Sequence, residues 1–177
     1  MKKKVLLVIG IIVFVILAVG SVGGDSASSS GSSSSSKKVA EIKEEDMGKI
    51  GEPYVTNNFE VTVSGIKSVD SQNIDAITSL EKEEGVKYLI ISVSAKNIAN
   101  ESKSLLSAGK LILGDGEDKI EIANDETLLS EGYGVFLEEV NPKISKKTKL
   151  VYKIPAEYAD KTIIWDAFGS DKFIKLQ

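Results

Sequence analysis

Twelve consecutive residues, Val86-Lys-Tyr-Leu-Ile-Ile-Ser-Val-Ser-Ala-Lys-Asn97, set the strongest limit on what this chain can fold into. Leu89, Ile91, Val93 and Ala95 share one parity, and Tyr88 and Ile90 share the other. A period of two puts the two sets on opposite faces of an extended strand, and the β-branched and aromatic content suits a pleated surface. One end of the run is apolar on both faces, so the strand is expected centrally in a sheet.

The rest of the C-terminal two thirds repeats this pattern in shorter pieces. Phe59, Val61 and Val63 alternate with Glu60, Thr62 and Ser64. Gly65 interrupts, and Ile66 and Val69 continue with the face shifted, as a β-bulge would do. Leu111-Ile-Leu113 and Ile120-Glu-Ile122 flank Asp115-Gly116, a strong short hairpin signal. Lys149-Leu-Val-Tyr-Lys-Ile154 stops at Pro155, and Thr162-Ile-Ile-Trp-Asp-Ala-Phe168 precedes Gly169 and the closing Lys172–Leu176 segment. Seven or eight short strands with turn signals between them, and few helical patterns, predict an all-β antiparallel β-sandwich over residues 48–177. Only Ile74, Ile77 and Leu80, three apart, suggest a helical turn.

The N-terminal part obeys different rules. Lys2, Lys3 and Lys4 precede an uncharged span from Val5 to Gly24. Positive charge before such a span predicts export of everything after it. Two readings of residues 1–24 compete. At 1.5 Å per residue the span reaches about 30 Å, enough for a signal anchor helix crossing a bilayer. The dense apolar run to Val19, with the small residues of Ala18-Val19-Gly20 at its end, also fits a signal peptide cut after Gly20. The anchor is the leading reading, because nine serines among residues 26–36 make a flexible linker with an evident use as a tether. Residues 25–47 are read as that linker with an acidic extension, and a short amphipathic helix from Lys38 to Met47 is the weaker option. The localisation expected is the cell membrane, single-pass, with the C-terminal domain outside; secretion is the alternative.

Composition then removes most chemistries. The chain has no Cys and no His, and all 22 basic residues are lysines. Disulfides, thiol nucleophiles, Cys/His zinc sites, imidazole acid–base work and guanidinium clamps are excluded. Residues 37–177 hold 19 lysines against 25 acids, a net of −6. That balance is a poor match to nucleic acid, which needs clustered positive charge. Ser-x-x-Lys occurs at Ser64/Lys67, Ser79/Lys82 and Ser107/Lys110, close to chance in a chain rich in both residues and without the companion motifs of penicillin-recognising enzymes.

Some residues still attract a functional reading. Asp115, Glu117 and Asp118 form a weak Ca²⁺ candidate lacking EF-hand spacing, and a solvated hairpin tip is the leading reading of them. The pairs Asp125/Glu126 and Glu138/Glu139 are read the same way. Tyr133, between two glycines, and Phe136 are candidates for a binding patch, since loop aromatics often anchor interfaces. The competing reading makes this stretch a crossing between sheets, with Leu128, Val135 and Leu137 plugging the core. Trp165 is expected in the core. No cofactor and no catalytic residue is expected.

The order Ile50-Gly-Glu52, Phe59-Glu-Val-Thr-Val63, Tyr88–Asn97, Leu113-Gly-Asp-Gly116, Glu139-Val-Asn-Pro142 and Leu150-Val-Tyr-Lys-Ile-Pro155 resembles an immunoglobulin-like extracellular domain family common in surface proteins of Gram-positive bacteria. That family is similar in fold to the mycobacterial immunoprotective extracellular antigen. The resemblance covers about residues 48–177 and implies no catalytic residues. One departure is Lys143, where the family often has a turn glycine after Asn-Pro. The expectation is a non-enzymatic, membrane-tethered extracellular binding module for a protein or cell-envelope partner. A cleaved, secreted binding protein or antigen is the alternative, and a carboxylate-based hydrolase a distant third.

Overall fold

A computed structural model of the chain describes residues 43–124 and 130–177. The predicted span at residues 5–24, most of the linker, the Asp125/Glu126 pair and Leu128 lie outside them. Among the described residues no helix is long and apolar enough to cross a membrane.

Among the described residues thirteen strands follow in chain order: β1 Gly48–Lys49, β2 Pro53–Val55, β3 Phe59–Val69, β4 Gln72–Asn73, β5 Ser79–Leu80, β6 Val86–Asn97, β7 Lys103–Leu105, β8 Lys110–Leu113, β9 Ile120–Ala123, β10 Phe136–Val140, β11 Ser145–Pro155, β12 Ile163–Asp166 and β13 Phe173–Lys175. Seven of them reach four residues, which are the strands that alternation can reveal; the others are too short to show a period. One sheet has the order β11-β6-β3-β2 and another β1-β13-β12-β8-β9; β10-β7 and β4-β5 form two-stranded ladders. The antiparallel expectation needs one correction, since β1 runs parallel to β13, with Gly48 opposite Ile174.

The two larger sheets close on one core. Val61, Val63, Leu89, Ile91, Val93, Leu150, Tyr152 and Ile154 from the first sheet meet Leu111, Leu113, Ile163, Trp165 and Ile174 from the second, all buried. The all-β sandwich is thereby in place. Strand β6 is central, between β11 and β3, and both its faces are covered at the end where its sequence is apolar on both. Its outward Tyr88 and Ile90 are buried with Leu80 and Val151 in a second, smaller cluster, against which Val69, Ile74 and Tyr133 pack. The bulge is where Gly65 predicted it: Val63 faces Val93, Gly65 faces Ser92, and Ser64 is the extra residue.

Two local expectations are corrected. Ile74, Ile77 and Leu80 do not form a helical turn; the segment folds into the β4–β5 ladder. Asp75 is the reason. Its Oδ1 accepts hydrogen bonds from the amides of Ile77 (2.9 Å) and Thr78 (2.8 Å), a local closure that competes with helix. Ile77 consequently points outward, 96% exposed. The Asp115-Gly116 hairpin exists, but β8 and β9 are joined by residues 114–119 with a 3₁₀ turn over Gly116–Asp118 rather than by a two-residue turn.

Glu44–Asp46 form a 3₁₀ turn docked on the sandwich: Glu44 pairs with Lys175 at 2.6 Å, and the Tyr54 hydroxyl donates to the Asp46 carbonyl at 2.7 Å.

Candidate functional site

At one end of the sandwich three connections converge: residues 56–58 between β2 and β3, 106–109 between β7 and β8, and 167–172 between β12 and β13. They enclose a cleft of about 210 Å³. Its buried side is built from Thr56, Phe59, Leu105 and Phe168, and its exposed rim from Asn57, Asn58, Ser104, Leu106 and Ser107. Among the described residues, none that lines it is charged.

The wall of this cleft rests on the core. The Trp165 indole N–H donates to the Ala108 carbonyl at 2.9 Å and to the Tyr152 hydroxyl at 3.0 Å, and Tyr152 itself donates to Ala108 at 2.6 Å. Burial pushes the Tyr152 phenol well up from its ordinary range. Phe168 stacks edge-on against Trp165, with centroids 5.0 Å apart. To do so Phe168 takes φ 57° and ψ 25°, a left-handed conformation that costs a bulky residue ~1–2 kcal/mol. The turn that holds it closes through Ala167 N–H to the Lys172 carbonyl (2.8 Å) and Asp171 N–H to Asp166 Oδ1 (3.0 Å). Asp166 is buried, and desolvation raises its pKa despite the amide it accepts. Gly109 cannot be replaced here: a Cβ would lie 1.9 Å from the Asp166 carbonyl oxygen.

A second concavity of about 360 Å³ lies on the outer face of the first sheet. Thr62, Ser92 and Ser94 form its floor, with Tyr133, Lys147 and Lys149 along one side. It exists because the second cluster covers only half of that face. A third, of about 280 Å³, is lined by Asp115, Asp118, Glu157, Tyr158 and Lys161.

The residues singled out in the sequence are distributed among these features. Asp115 and Asp118 line the third concavity without Glu117, and among the described residues no three acidic side chains converge on a cation position. Tyr133 and Phe136 are both half-buried and do not share a patch. Tyr133 packs on the small cluster under the Lys149 ammonium, 4.9 Å from its centroid, and Phe136 packs on the main core under Lys146 at 5.7 Å. Val135 packs on the main core, as the crossing reading required. Glu138 pairs with Lys146 at 3.4 Å, and Glu138 and Glu139 are both exposed. Trp165 is completely buried. No residue of the loop-end cleft was read as part of a binding site: Phe59 and Phe168 entered as strand residues and Ser107 in a Ser-x-x-Lys pair, and the turn signals Asn57-Asn58 and Gly169-Ser170 mark the place of the rest.

Comparison with known proteins places the fold. Residues 48–174 match a family described as a domain of unknown function, DUF4352. Among solved structures, a conserved hypothetical protein from Bacillus anthracis is 19% identical, with a TM-score of 0.54 over 73% of this chain and 95% of that one. An uncharacterized β-sandwich protein from Clostridium difficile 630 is 19% identical with a TM-score of 0.51 over 76% and 97%. The yjhA protein from Bacillus subtilis is likewise 19% identical with a TM-score of 0.51 over 74% and 100%. No curated protein matches the chain.

Proposed function

The chain belongs to the DUF4352 family of domains of unknown function, and on that premise we propose that it is a non-enzymatic, membrane-tethered extracellular binding module. Residues 5–24 anchor it, the serine-rich segment is its tether, and the sandwich outside the cell takes an envelope component or a protein in its loop-end cleft. One observation carries the reading: among the described residues, none with an ionisable side chain lines this recess. Moving a proton or activating a nucleophile needs a titratable partner within hydrogen-bond reach. The Ser170 hydroxyl is instead engaged with the Ala167 carbonyl, and Ser107 Oγ accepts from the Gly109 amide. Variable loops on a rigid sandwich are a common way to hold a partner. The lysines before an uncharged span, with the serine tract after it, support the tether. The closure of two sheets on one core supports an immunoglobulin-like sandwich similar to the mycobacterial antigen.

The test uses the full chain with an affinity tag after Gln177 in intact producer cells, followed by external protease, chemical crosslinking and mass spectrometry. The expected result is a bait that keeps its first 20 residues in the membrane fraction, loses its tag to protease and crosslinks reproducibly to one envelope component. Bait starting at Ser21 in the medium would overturn the tether, and a tag sheltered from protease would overturn the orientation.

A further inference from the structure

We propose that the loop-end cleft is a site for a neutral saccharide. The inference rests on the binding-module reading and names the ligand class it leaves open. The chain is 27% charged, and the second and third concavities, like a fourth lined by Glu44, Asp115, Lys119 and Lys175, each contain both acidic and basic side chains. Among the described residues the loop-end cleft has neither. An ionic ligand seated there would leave its charge without a counter-charge, at a cost that grows with desolvation.

The lining has two parts, and a pyranose ring has the same two. Phe59, Leu105 and Phe168, 5–8% exposed, belong to the core and close the base without offering a ring face, while Leu106, 63% exposed at the rim, is the apolar side chain that can lie against the C–H face of a sugar ring. Around them the side chains of Asn57, Asn58 and Ser104 have no hydrogen-bond partner among the described residues. Each amide offers two donors and an acceptor, which pairs with adjacent hydroxyls that both donate and accept. The recess is pre-formed. Gly109 permits the close approach of its two loops, and the left-handed Phe168 fixes one wall, so little ordering accompanies binding. Backbone strain concentrated at a ligand wall is a recurring feature of binding sites.

The experiment is calorimetric titration of the full chain in detergent with two neutral probes, the tetrasaccharides of N-acetylglucosamine and of glucose, beside an uncharged tetrapeptide. Binding of at least one saccharide is expected, unchanged when salt rises from about 0.05 to about 0.5 M. Asn58→Ala and Leu106→Ala should each weaken it about tenfold. Both side chains are exposed, so an unchanged melting temperature separates lost binding from lost folding. Lys147→Gln, on the outer sheet face, should leave binding unaltered. Absence of heat with both saccharides, preference for the tetrapeptide, steep salt dependence, or loss on Lys147→Gln would each overturn the proposal. Retention of the chain on isolated cell envelope is measured in parallel. Retention without saccharide binding sinks the ligand class and spares the binding module; loss of both sinks both.

Discussion

Lys143 shows how a single departure from a pattern acquires a physical meaning. The resemblance placed a glycine after Asn-Pro, and the backbone there has φ 64°, the left-handed region. Ile144 N–H closes the turn on the Asn141 carbonyl at 3.1 Å, and Lys143 N–H reaches the Asn97 carbonyl at 2.9 Å, so the conformation is fixed from two sides. Lys143→Gly should relieve ~1–2 kcal/mol of left-handed cost and forfeit ~0.5–1 kcal/mol to unfolded-chain entropy. Because the change also removes the hydrogen bond from the Lys143 ammonium to the Ile98 carbonyl at 3.0 Å, the comparison is with Lys143→Ala: the glycine variant is expected to be about 0.5 kcal/mol the more stable in urea unfolding, and a less stable glycine variant would contradict the strain account. Asp166 makes a pH-dependent case. Its folded pKa lies above the unfolded value, because burial disfavours the carboxylate. The protonated form therefore favours folding, and this contribution is lost as pH rises through the folded pKa. Asp166→Asn should melt higher than the parent at neutral pH, with the advantage shrinking as pH falls through the carboxylate range. Asp75 has the opposite sign. The Ser130 hydroxyl and the Ile77 and Thr78 amides hold its pKa at about 2, so its contribution is present above the unfolded value near 3.8 and is lost as pH falls toward 2. Carbon-13 NMR of the Asp75 carboxyl should titrate near 2 in the parent and higher in Ser130→Ala.

Strand β6 is where element-level pattern and packing agree most closely. Its inward set sits in the main core and its outward Tyr88 and Ile90 under the smaller cluster, so the two faces carry unequal loads. Ile91→Ala should cost about 3–4 kcal/mol in chemical unfolding, because both sheets surround the void. Ile90→Ala should cost about 2 kcal/mol, since the thin cover formed by β4, β5 and Tyr133 can collapse onto it. Equal costs would mean that the outer cluster is as well packed as the core. The bulge at Ser64 was legible because glycine interrupts a clean alternation. The β4–β5 ladder was not legible. Two-residue strands have no period, and the Ile74, Ile77, Leu80 spacing imitates a helix until the Asp75 carboxylate is seen closing the turn.

At the scale of the whole molecule, stability has to come from burial alone, because a cysteine-free chain has no covalent staple. A sandwich of this length can bury enough to manage it. Its melting temperature should be unaffected by reductant. Trp165 is the one tryptophan and is fully buried beside Tyr152, so it reports on the main core. Its emission should begin blue-shifted and move to the red in a transition that coincides with loss of the far-ultraviolet β signal. Separate transitions would show that the two sheets come apart in steps.

Read from the residues alone, the chain was already committed to strands, to a central β6, to a bulge at Gly65, to a buried Trp165 and to chemistry without thiol, imidazole or guanidinium. These follow from side-chain identity and a period of two, which are local properties. Tertiary structure decided what depends on distant segments meeting: the parallel β1–β13 pair, the half-covered outer face, the separation of Tyr133 from Phe136 and the loop-end cleft. Asn57, Leu106 and Phe168 belong to three connections far apart in sequence. No periodicity links them, and only the closure of two sheets on one core brings them to the same recess.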